Sequence, residues 1–338
     1  MEATNETTPI DYDVFRRPVQ FVLLLIVGIP AIVSAILILI FIYLNWYSVM
    51  VKNLYHHATF LLLLVAFVYI TLDLPFTLNY FRLGYHWYRS IPFCLWWYWF
   101  DYCLLAMNLC LTATASVQRH ILIYNSLWLN ATKNRWIIHY IPLIISIIYP
   151  LIFYTIFMFA YRCTVYFDYS DGWCAYPCYI DHAVLYNIDW ICNTITPVLI
   201  IVLANVALII RTFRSMKKVR QQHHRTWQRQ KKLTLQLLAF SSVYVIIYLP
   251  TTTMAILRKL VFPNLYDERS KVYYIFHMIY FVAPLQIFMC IFAIPDLRTF
   301  IKRKVNQVLI GPTNDLVVAV QPTSLICQSG DISHFNDI

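Results

Sequence analysis

Seven stretches of this chain are long and apolar enough to cross a lipid bilayer as α-helices, and no other feature limits the fold as strongly. A spanning helix needs about 20 mostly apolar residues. The stretches are Val19–Tyr43, Ala58–Tyr80, Pro92–Ile123, Trp136–Tyr161, Leu185–Ile210, Lys232–Leu257 and Val272–Ile294. They lack the alternation of apolar and polar residues that a membrane β-barrel requires. The sequence therefore predicts an all-α membrane protein that folds as a seven-transmembrane helix bundle.

The amino-acid composition agrees with a membrane environment. Hydrophobic residues make up 60% of the chain and charged residues 12%, whereas soluble domains contain about 45–50% and about 25%. The net charge is +10, but the basic residues flank the apolar stretches, so we expect no nucleic-acid partner. The nine cysteines show no metal-binding spacing, and we expect neither a metal site nor a cofactor. No nucleophile–base pair or carboxylate pair indicates an enzyme.

The distribution of lysine and arginine predicts the orientation in the membrane. With the N-terminus outside, 17 of these residues lie on the inner side and nine on the outer side, as the positive-inside rule requires. Residues 1–18 would then form an extracellular N-terminus, residues 19–310 the membrane domain and residues 311–338 a cytoplasmic tail. Asn5 begins an Asn-x-Thr sequon and is a candidate glycosylation site. We expect a multi-pass protein of the plasma membrane.

Several motifs inside these stretches are specific. Cys94 and Arg119 stand 25 residues apart in the third stretch, a helical distance of roughly 37 Å. Arg119 lies in Gln118-Arg119-His120, Pro197 is central in the fifth stretch, and the sixth contains Tyr244-Val245-Ile246-Ile247-Tyr248-Leu249-Pro250. Together these motifs resemble those of rhodopsin-like (class A) G-protein-coupled receptors. The triplet is similar to the family's Asp/Glu-Arg-Tyr, and the sixth-stretch motif is similar to its Phe-x-x-x-Trp-x-Pro.

Other positions depart from the family pattern. The second stretch lacks the family's sodium-binding aspartate, and its only acid, Asp73, lies nearer the outer end. The Asn-Pro-x-x-Tyr motif is missing, and either Ala283-Pro284 or Gln286-Ile287 takes its place. Residues 295–304 are basic and amphipathic, so they resemble the family's short eighth helix. We interpret the chain as a divergent member, of an invertebrate orphan type.

The resemblance implies a signalling function. Binding of an extracellular ligand would swing the sixth helix outward at Pro250, with Tyr244 and Pro197 as further switch residues. Arg119, flanked by Gln118 and His120, would then contact a heterotrimeric G protein, and arrestin is a candidate further partner. An amine, a peptide and a chemosensory cue all remain possible ligands. A seven-span chemosensory channel and a transporter are the alternatives; the charge distribution disfavours the first and the low count of five glycines the second.

Asp101 is the strongest candidate for ligand binding. It follows Cys94 by seven residues, and by resemblance amine receptors place an aspartate at that spacing to pair with a ligand ammonium. A carboxylate inside a bundle is costly and usually functional, although Asp101 could instead pair with Arg82, Arg89 or His86. Further candidates for the same cavity are Asp189, Tyr248, Thr251, Thr252 and Tyr280. If Gln286-Ile287 replaces the Asn-Pro pair, Tyr280 is placed to hydrogen-bond Asp101. The seventh stretch contains no lysine for a retinal Schiff base.

Four cysteines fall on the outer side in the predicted topology: Cys94, Cys163, Cys174 and Cys178. The exterior is oxidising, so disulfides are expected, and four cysteines allow three pairings. By resemblance, the third-helix cysteine bonds to the second outer loop. The same resemblance favours Cys94–Cys178, because the spacing between Cys178 and Pro197 is typical of the family, with Cys163–Cys174 inside the loop. Cys94–Cys174 is the alternative.

Overall fold

A computed structural model describes residues 12–51, 54–124, 131–161, 166–167, 174–176, 178–180, 182–219, 241–253, 256 and 277–293. All of them belong to one unit, Met1–Arg298. Within these residues the chain forms seven helical segments, α1 to α7, and one pair of two-residue strands. The architecture is therefore almost entirely helical, as the apolar stretches predict. The expected eighth helix, Cys163 and Asn5 lie outside the described residues.

The helices contain both regular α-helix and wider π-helical turns. Helix α1 is Tyr12–Leu44, followed by a π-helical turn Tyr47–Val51; α2 joins Tyr55–Val68, a π-helical turn Tyr69–Asp73 and Leu74–Leu83; α3 is Ile91–Tyr124. Helix α4 joins Thr132–Arg135, a π-helical turn Trp136–Tyr140, Ile141–Thr155 and a π-helical turn Ile156–Ala160; α5 joins Ala183–Asp189, a π-helical turn Trp190–Ile195 and Thr196–Val219. Helix α6 comprises residues 241–253, and α7 joins a 3₁₀ turn Met278–Phe281 to Val282–Ala293.

The segment between α4 and α5 carries the strand pair. Strand β1, Tyr166–Phe167, pairs antiparallel with β2, Ala175–Tyr176, in the register Tyr166 with Tyr176. A 3₁₀ turn, Cys178–Ile180, then leads into α5. Tyr179 of this turn donates a hydrogen bond to Asp189, which ties the turn to α5.

Five helices in the described part of the chain are long and apolar enough to cross a membrane. They are Arg17–Leu44, His56–Leu83, Ile91–Leu122, Thr132–Ala160 and Ala183–Arg214, and their mean hydropathy ranges from 1.3 to 3.1. These ranges coincide with the first five predicted spans. Within α7, Met278–Ile291 is a shorter apolar helix. The remaining parts of the sixth and seventh predicted spans lie outside the described residues.

Three of the π-helical turns end two residues before a proline: Pro75, Pro142 and Pro197. A proline has no N–H, and its ring clashes with the carbonyl four residues earlier. A wide turn at this place relieves the clash and re-aims the side chains on it. The turn before Pro75 carries Asp73, and that before Pro197 carries Asn193. Helix α2 ends differently, at Gly84, whose φ of 78° closes the helix.

Helix α3 lies at the centre of the bundle. The most apolar 18-residue stretch of α3 is 67% buried, whereas those of α1 and α4 are 28% buried. Helix α3 contacts α2, α4 and α5. Helix α1 packs against α2 and α7 through a face with Leu24, Ala31, Ala35, Ile38 and Ile42. Its other face exposes isoleucine and valine, because lipid solvates apolar side chains as well as a protein core does. The central position brings the side chains of α3 close to those of its neighbours.

Candidate functional site

A cavity of about 120 Å³ opens at the end of the bundle that carries the disulfide. Five of the six predicted ligand-binding residues line it: Asp101, Asp189, Tyr248, Thr251 and Tyr280. Helices α3, α4, α5 and α7 supply the other lining residues, which are Tyr102, Leu105, Ala106, Leu109, Tyr154, Trp190, Asn193, Thr194 and Ile279. Thr252 does not line the cavity; its hydroxyl donates to the Tyr248 carbonyl at 2.8 Å within α6.

Asp101 presents a carboxyl to this cavity without a cationic partner among the described residues. It is 6% exposed, and its Oδ1 receives no hydrogen bond there. Two of the three partners that the sequence leaves open for it contact other side chains: Arg89 lies over the ring of Tyr85 at 4.7 Å, and His86 stacks on Tyr80. The Asp101 carboxyl is thus a buried acceptor that faces a cavity.

Asp189 is in a different state, because three donors surround its carboxylate. Tyr154 donates to Oδ1 at 2.8 Å, Asn193 to the same oxygen at 2.7 Å, and Tyr179 to Oδ2 at 2.9 Å. Burial raises the pKa of Tyr179, so its hydroxyl remains a donor. These bonds join α4, α5 and the 3₁₀ turn that precedes α5. Asp189 lines the cavity, but its main observed contacts hold that turn in place.

Asp73 is a second acid in this part of the bundle, and the sequence pattern did not assign it to the site. Asp73, on the π-helical turn of α2, is fully buried and accepts a 2.7 Å hydrogen bond from the indole of Trp97. Trp97 lies one turn before Asp101 on α3, so this bond holds Asp73 against the same part of that helix. The sequence does contain one indication of the importance of Asp73, because an acid within a membrane span is functional more often than not.

The disulfide prediction requires a correction. Cys94 bonds to Cys174, with their Cα atoms 5.6 Å apart, so the favoured pairing Cys94–Cys178 is wrong and its alternative holds. Cys178 is also disulfide-bonded. Because Cys174 is bonded to Cys94, the accompanying Cys163–Cys174 pairing is wrong as well. The reason is that the turn Cys178–Ile180 is anchored over α4 and α5, where Tyr179 packs on Phe157 and bonds Asp189. Cys174, four residues earlier, is the cysteine that reaches α3.

A buried polar cluster lies deeper in the bundle, around the predicted switch residue Tyr244. Its hydroxyl contacts the Asn108 Oδ1 at 3.0 Å and the side-chain oxygen of Gln286. The Gln286 amide donates to the Leu62 carbonyl at 2.9 Å. One tyrosine of α6 is therefore joined to α3, α7 and α2. Gln286 belongs to one of the two pairs that the sequence leaves open for the place of the missing Asn-Pro motif.

At the opposite end, three consecutive residues of α3 bond to three different helices. Gln118 donates to the His139 carbonyl of α4 at 2.8 Å, and His120 Nε2 is 2.7 Å from the Ala204 carbonyl of α5. Arg119, 6% exposed, donates to the Ser241 hydroxyl of α6 at 3.4 Å, and Ser241 donates to Asn205 at 3.0 Å. We name Gln118, Arg119 and His120 the α3 triplet. It joins α3 to α4, α5 and α6 at this end of the bundle.

Comparisons with known proteins agree with this architecture. The sequence profile of the 7 transmembrane receptor (rhodopsin family) matches residues 36–291. The crystal structure of squid rhodopsin superposes with a TM-score of 0.63 at 14% identity, covering 88% of this chain and 89% of that one. No curated protein is significantly similar in sequence. The family consists of multi-pass membrane receptors and is not an enzyme class. The matched residues extend over most of the chain, which therefore belongs to the rhodopsin family of seven-transmembrane receptors.

Proposed function

We propose that this receptor converts the binding of an extracellular ligand in the cavity into activation of a heterotrimeric G protein at the α3 triplet. The observation that carries the proposal is that α6 takes part in both sites. Tyr248 and Thr251 line the cavity, while Ser241 of the same helix accepts the hydrogen bond from Arg119. A ligand that changes the position of α6 would therefore change the hydrogen bond between Ser241 and Arg119.

The proline of α6 gives this helix a place to bend. Pro250 lies between the two lining residues Tyr248 and Thr251, and it cannot donate a backbone hydrogen bond. An outward swing of the inner half of α6 about Pro250 separates Ser241 from Arg119. The ligand needs only to bind the swung arrangement more tightly than the resting one, since differential affinity moves the equilibrium.

Asp101 indicates a ligand with a cationic group. An unpaired buried carboxylate costs several kcal/mol of solvation, and an ammonium or guanidinium in the cavity would offset that cost. The cavity of about 120 Å³ is smaller than typical ligand sites of roughly 300–1000 Å³. In this arrangement it holds a group the size of one side chain. Both an amine and a basic residue of a peptide fit this requirement.

The excess of lysine and arginine on one side supports an orientation with the N-terminus outside and the α3 triplet in the cytoplasm. Residues 1–18 and 311–338 would then be the extracellular and cytoplasmic ends of the chain. In this orientation Asn5 is available for glycosylation, and arrestin is a candidate second partner of the cytoplasmic face.

The test measures G-protein activation in cells that express the receptor with an N-terminal tag. We expect the tag to be accessible on intact cells, and cationic compounds to activate the wild type. Arg119→Ala should abolish activation at equal surface expression. Lys133→Ala, which removes an exposed basic residue at the same end, should leave it intact. Asp101→Asn should raise the half-activating concentration by at least about 30-fold, roughly 2 kcal/mol for a truncated charge pair.

Three results would overturn parts of this proposal. Full activation of Arg119→Ala would remove the coupling role of the α3 triplet. Unchanged potency in Asp101→Asn would remove the cationic ligand, while leaving the coupling intact. A tag reachable only in permeabilised cells, in protein delivered to the surface, would reverse the orientation.

A further inference from the structure

The connection between α2 and α3 exposes large apolar side chains at the end of the bundle that carries the disulfide. Trp87 is 77% exposed, Tyr88 58% and Ile91 55%. Neighbouring apolar side chains that are exposed together mark a surface that contacts another molecule. In membrane proteins, tryptophan and tyrosine are enriched where the hydrocarbon of the bilayer meets water. The connection therefore has the composition of a membrane-boundary segment.

A buried histidine holds this connection close to the bundle. Residues 84–90 join the second and third spanning helices. Within them, His86 is buried, stacks on the ring of Tyr80 at 5.0 Å and meets the ring of Trp97 edge-on at 4.9 Å. Tyr80 and Trp97 both belong to the spanning parts of their helices. The adjacent residue, Trp87, therefore lies at the level where the two spans end.

A row of aromatic rings connects this segment to the sides of α2 and α3. The ring of Tyr88 meets that of Phe93 at 5.3 Å, and Phe93 lies 6.2 Å from Trp96, which stacks on Phe100 at 5.2 Å. Phe76 of α2 contacts both Phe93 and Trp96, at 5.1 and 6.2 Å. We name these five residues the α2–α3 aromatic face. It extends without interruption from α3 to the connection.

On α3 this face points away from the ligand cavity. Successive residues of an α-helix are turned by roughly 100°, so Trp96 lies opposite Asp101 and Tyr102, which line the cavity. Trp96 is exposed and belongs to the spanning part of α3, so its ring faces the bilayer. A molecule that covers the α2–α3 aromatic face therefore reaches it from the lipid.

Positive charge surrounds the outer edge of the face. Residues 82–92 contain two arginines and no acidic residue, and both Arg82 and Arg89 are exposed. The Arg89 guanidinium lies over the ring of Tyr85 at 4.7 Å, an arrangement that holds its plane and directs its N–H edge outward. A third cation, Arg17 of α1, packs against Gly84, where any side chain would collide with it. Arginine binds phosphate through two parallel N–H bonds.

We propose that a phospholipid with a net negative headgroup binds along the α2–α3 aromatic face. Its acyl chain packs on Trp96 and Phe100, and its phosphate contacts Arg89. Trp87 and Tyr88 lie beside the headgroup at the membrane boundary. The site depends on neither the proposed ligand nor the proposed G-protein coupling, because it lies on the outside of the bundle.

The fluorescence of Trp87 tests this site in the full-length receptor, reconstituted in phosphatidylcholine nanodiscs. The chain contains ten tryptophans, so the Trp87 signal is the difference between the wild type and Trp87→Phe. Bromine atoms on an acyl chain quench an indole at close range. A small fraction of brominated phosphatidylglycerol should quench this signal more than the same fraction of brominated phosphatidylcholine, because the anionic lipid is enriched at the site.

A charge variant tests the role assigned to Arg89. Arg89→Gln, compared with its own Trp87→Phe derivative, should lower the preference for phosphatidylglycerol by about 5-fold, the effect of one arginine near a membrane surface. Quenching by phosphatidylcholine should be unchanged. Lys133→Gln, which removes an exposed cation at the opposite end, is the matched control and should keep the preference. Thermal unfolding shows that each variant is folded. If Arg89→Gln is not, high salt should lower the preference of the wild type, since salt screens exposed charges.

Three results would overturn the proposal. Equal quenching by the two brominated lipids in the wild type would exclude selection of the anionic headgroup. A preference that survives in Arg89→Gln, or in high salt where that variant does not fold, would exclude the phosphate contact. Quenching of Trp87 by iodide in the aqueous phase, with no quenching by either brominated lipid, would place the connection in water and assign its aromatic side chains to a soluble partner.

Discussion

A single hydroxyl group, that of Tyr244, joins four helices through its neighbours. It contacts the side-chain oxygens of Asn108 and Gln286, and the Gln286 nitrogen is committed to the Leu62 carbonyl. A phenol has one proton to donate. If Tyr244 donates to Gln286, the Asn108 amide satisfies the cluster by turning its nitrogen towards the hydroxyl, an orientation that heavy-atom positions leave open. The Tyr244 hydroxyl then donates one hydrogen bond and accepts another within the cluster.

Removing this hydroxyl should destabilise the receptor. In Tyr244→Phe the Gln286 oxygen loses its donor while it remains buried, which costs about 1–3 kcal/mol. Tyr248→Phe is a matched control one turn away on α6, because the Tyr248 hydroxyl has no partner among the described residues. Thermal inactivation of the purified receptor in detergent should show a clear loss for the first variant and little for the second. Equal losses would show that the cluster contributes nothing.

Residue spacing predicted much of the cavity but not its polar partners. Asp101, Tyr248 and Tyr280 were found because helical periodicity and family resemblance show which residues share one face of one helix. Periodicity does not show which faces of different helices meet. Tyr154 and Asp73 were missed for this reason, since each contacts a side chain of another helix, Asp189 and Trp97 respectively. Thr252 does not line the cavity, although its neighbour Thr251 does.

At the scale of helices, a proline leaves one backbone carbonyl without its usual donor, and a side chain of another helix can supply that hydrogen bond. Pro142 has no N–H for the carbonyl of Ile138, four residues earlier. Gln118 of α3 donates to that carbonyl at 3.3 Å and to the adjacent carbonyl of His139 at 2.8 Å. The sequence predicts bends at prolines, but the π-helical turns before them depend on such tertiary contacts.

Replacing Gln118 by glutamate tests what the α3 triplet does. In Gln118→Glu, the two carbonyls of α4 repel the new carboxylate, which turns to the adjacent Arg119. The ion pair between them stabilises the resting arrangement. We expect basal G-protein signalling to fall by roughly 5-fold, about 1 kcal/mol of coupling, at matched surface expression.

Gln118→Leu is the control for this change, because it removes the bond to α4 without adding a charge. It should not lower basal signalling. A fall of the same size in both variants would attribute the effect to the lost contact with α4. Equal basal activity of wild type and Gln118→Glu would remove the charge argument altogether.

For the whole molecule, the seven-span architecture was predictable because each span is stable in lipid by its own backbone hydrogen bonds. The connection between α4 and α5 was not. Its cysteine pairing depends on where the strand pair and the turn Cys178–Ile180 settle, and that follows from the contacts of Tyr179 with Phe157 and Asp189. Spacing to Pro197 carries no information about those contacts.

The pairing of Cys94 with Cys174 makes a prediction about combined variants. Cys94→Ala and Cys174→Ala should each lower thermal stability and surface delivery, since a disulfide that closes a loop of 80 residues contributes about 2–5 kcal/mol. Because both changes break one bond, the double variant should be no worse than either single one. Cys192→Ala, at an exposed free cysteine, should have little effect. The opposite result would support Cys94–Cys178 instead. In that case the losses of Cys94→Ala and Cys174→Ala would add, and those of Cys94→Ala and Cys178→Ala would not.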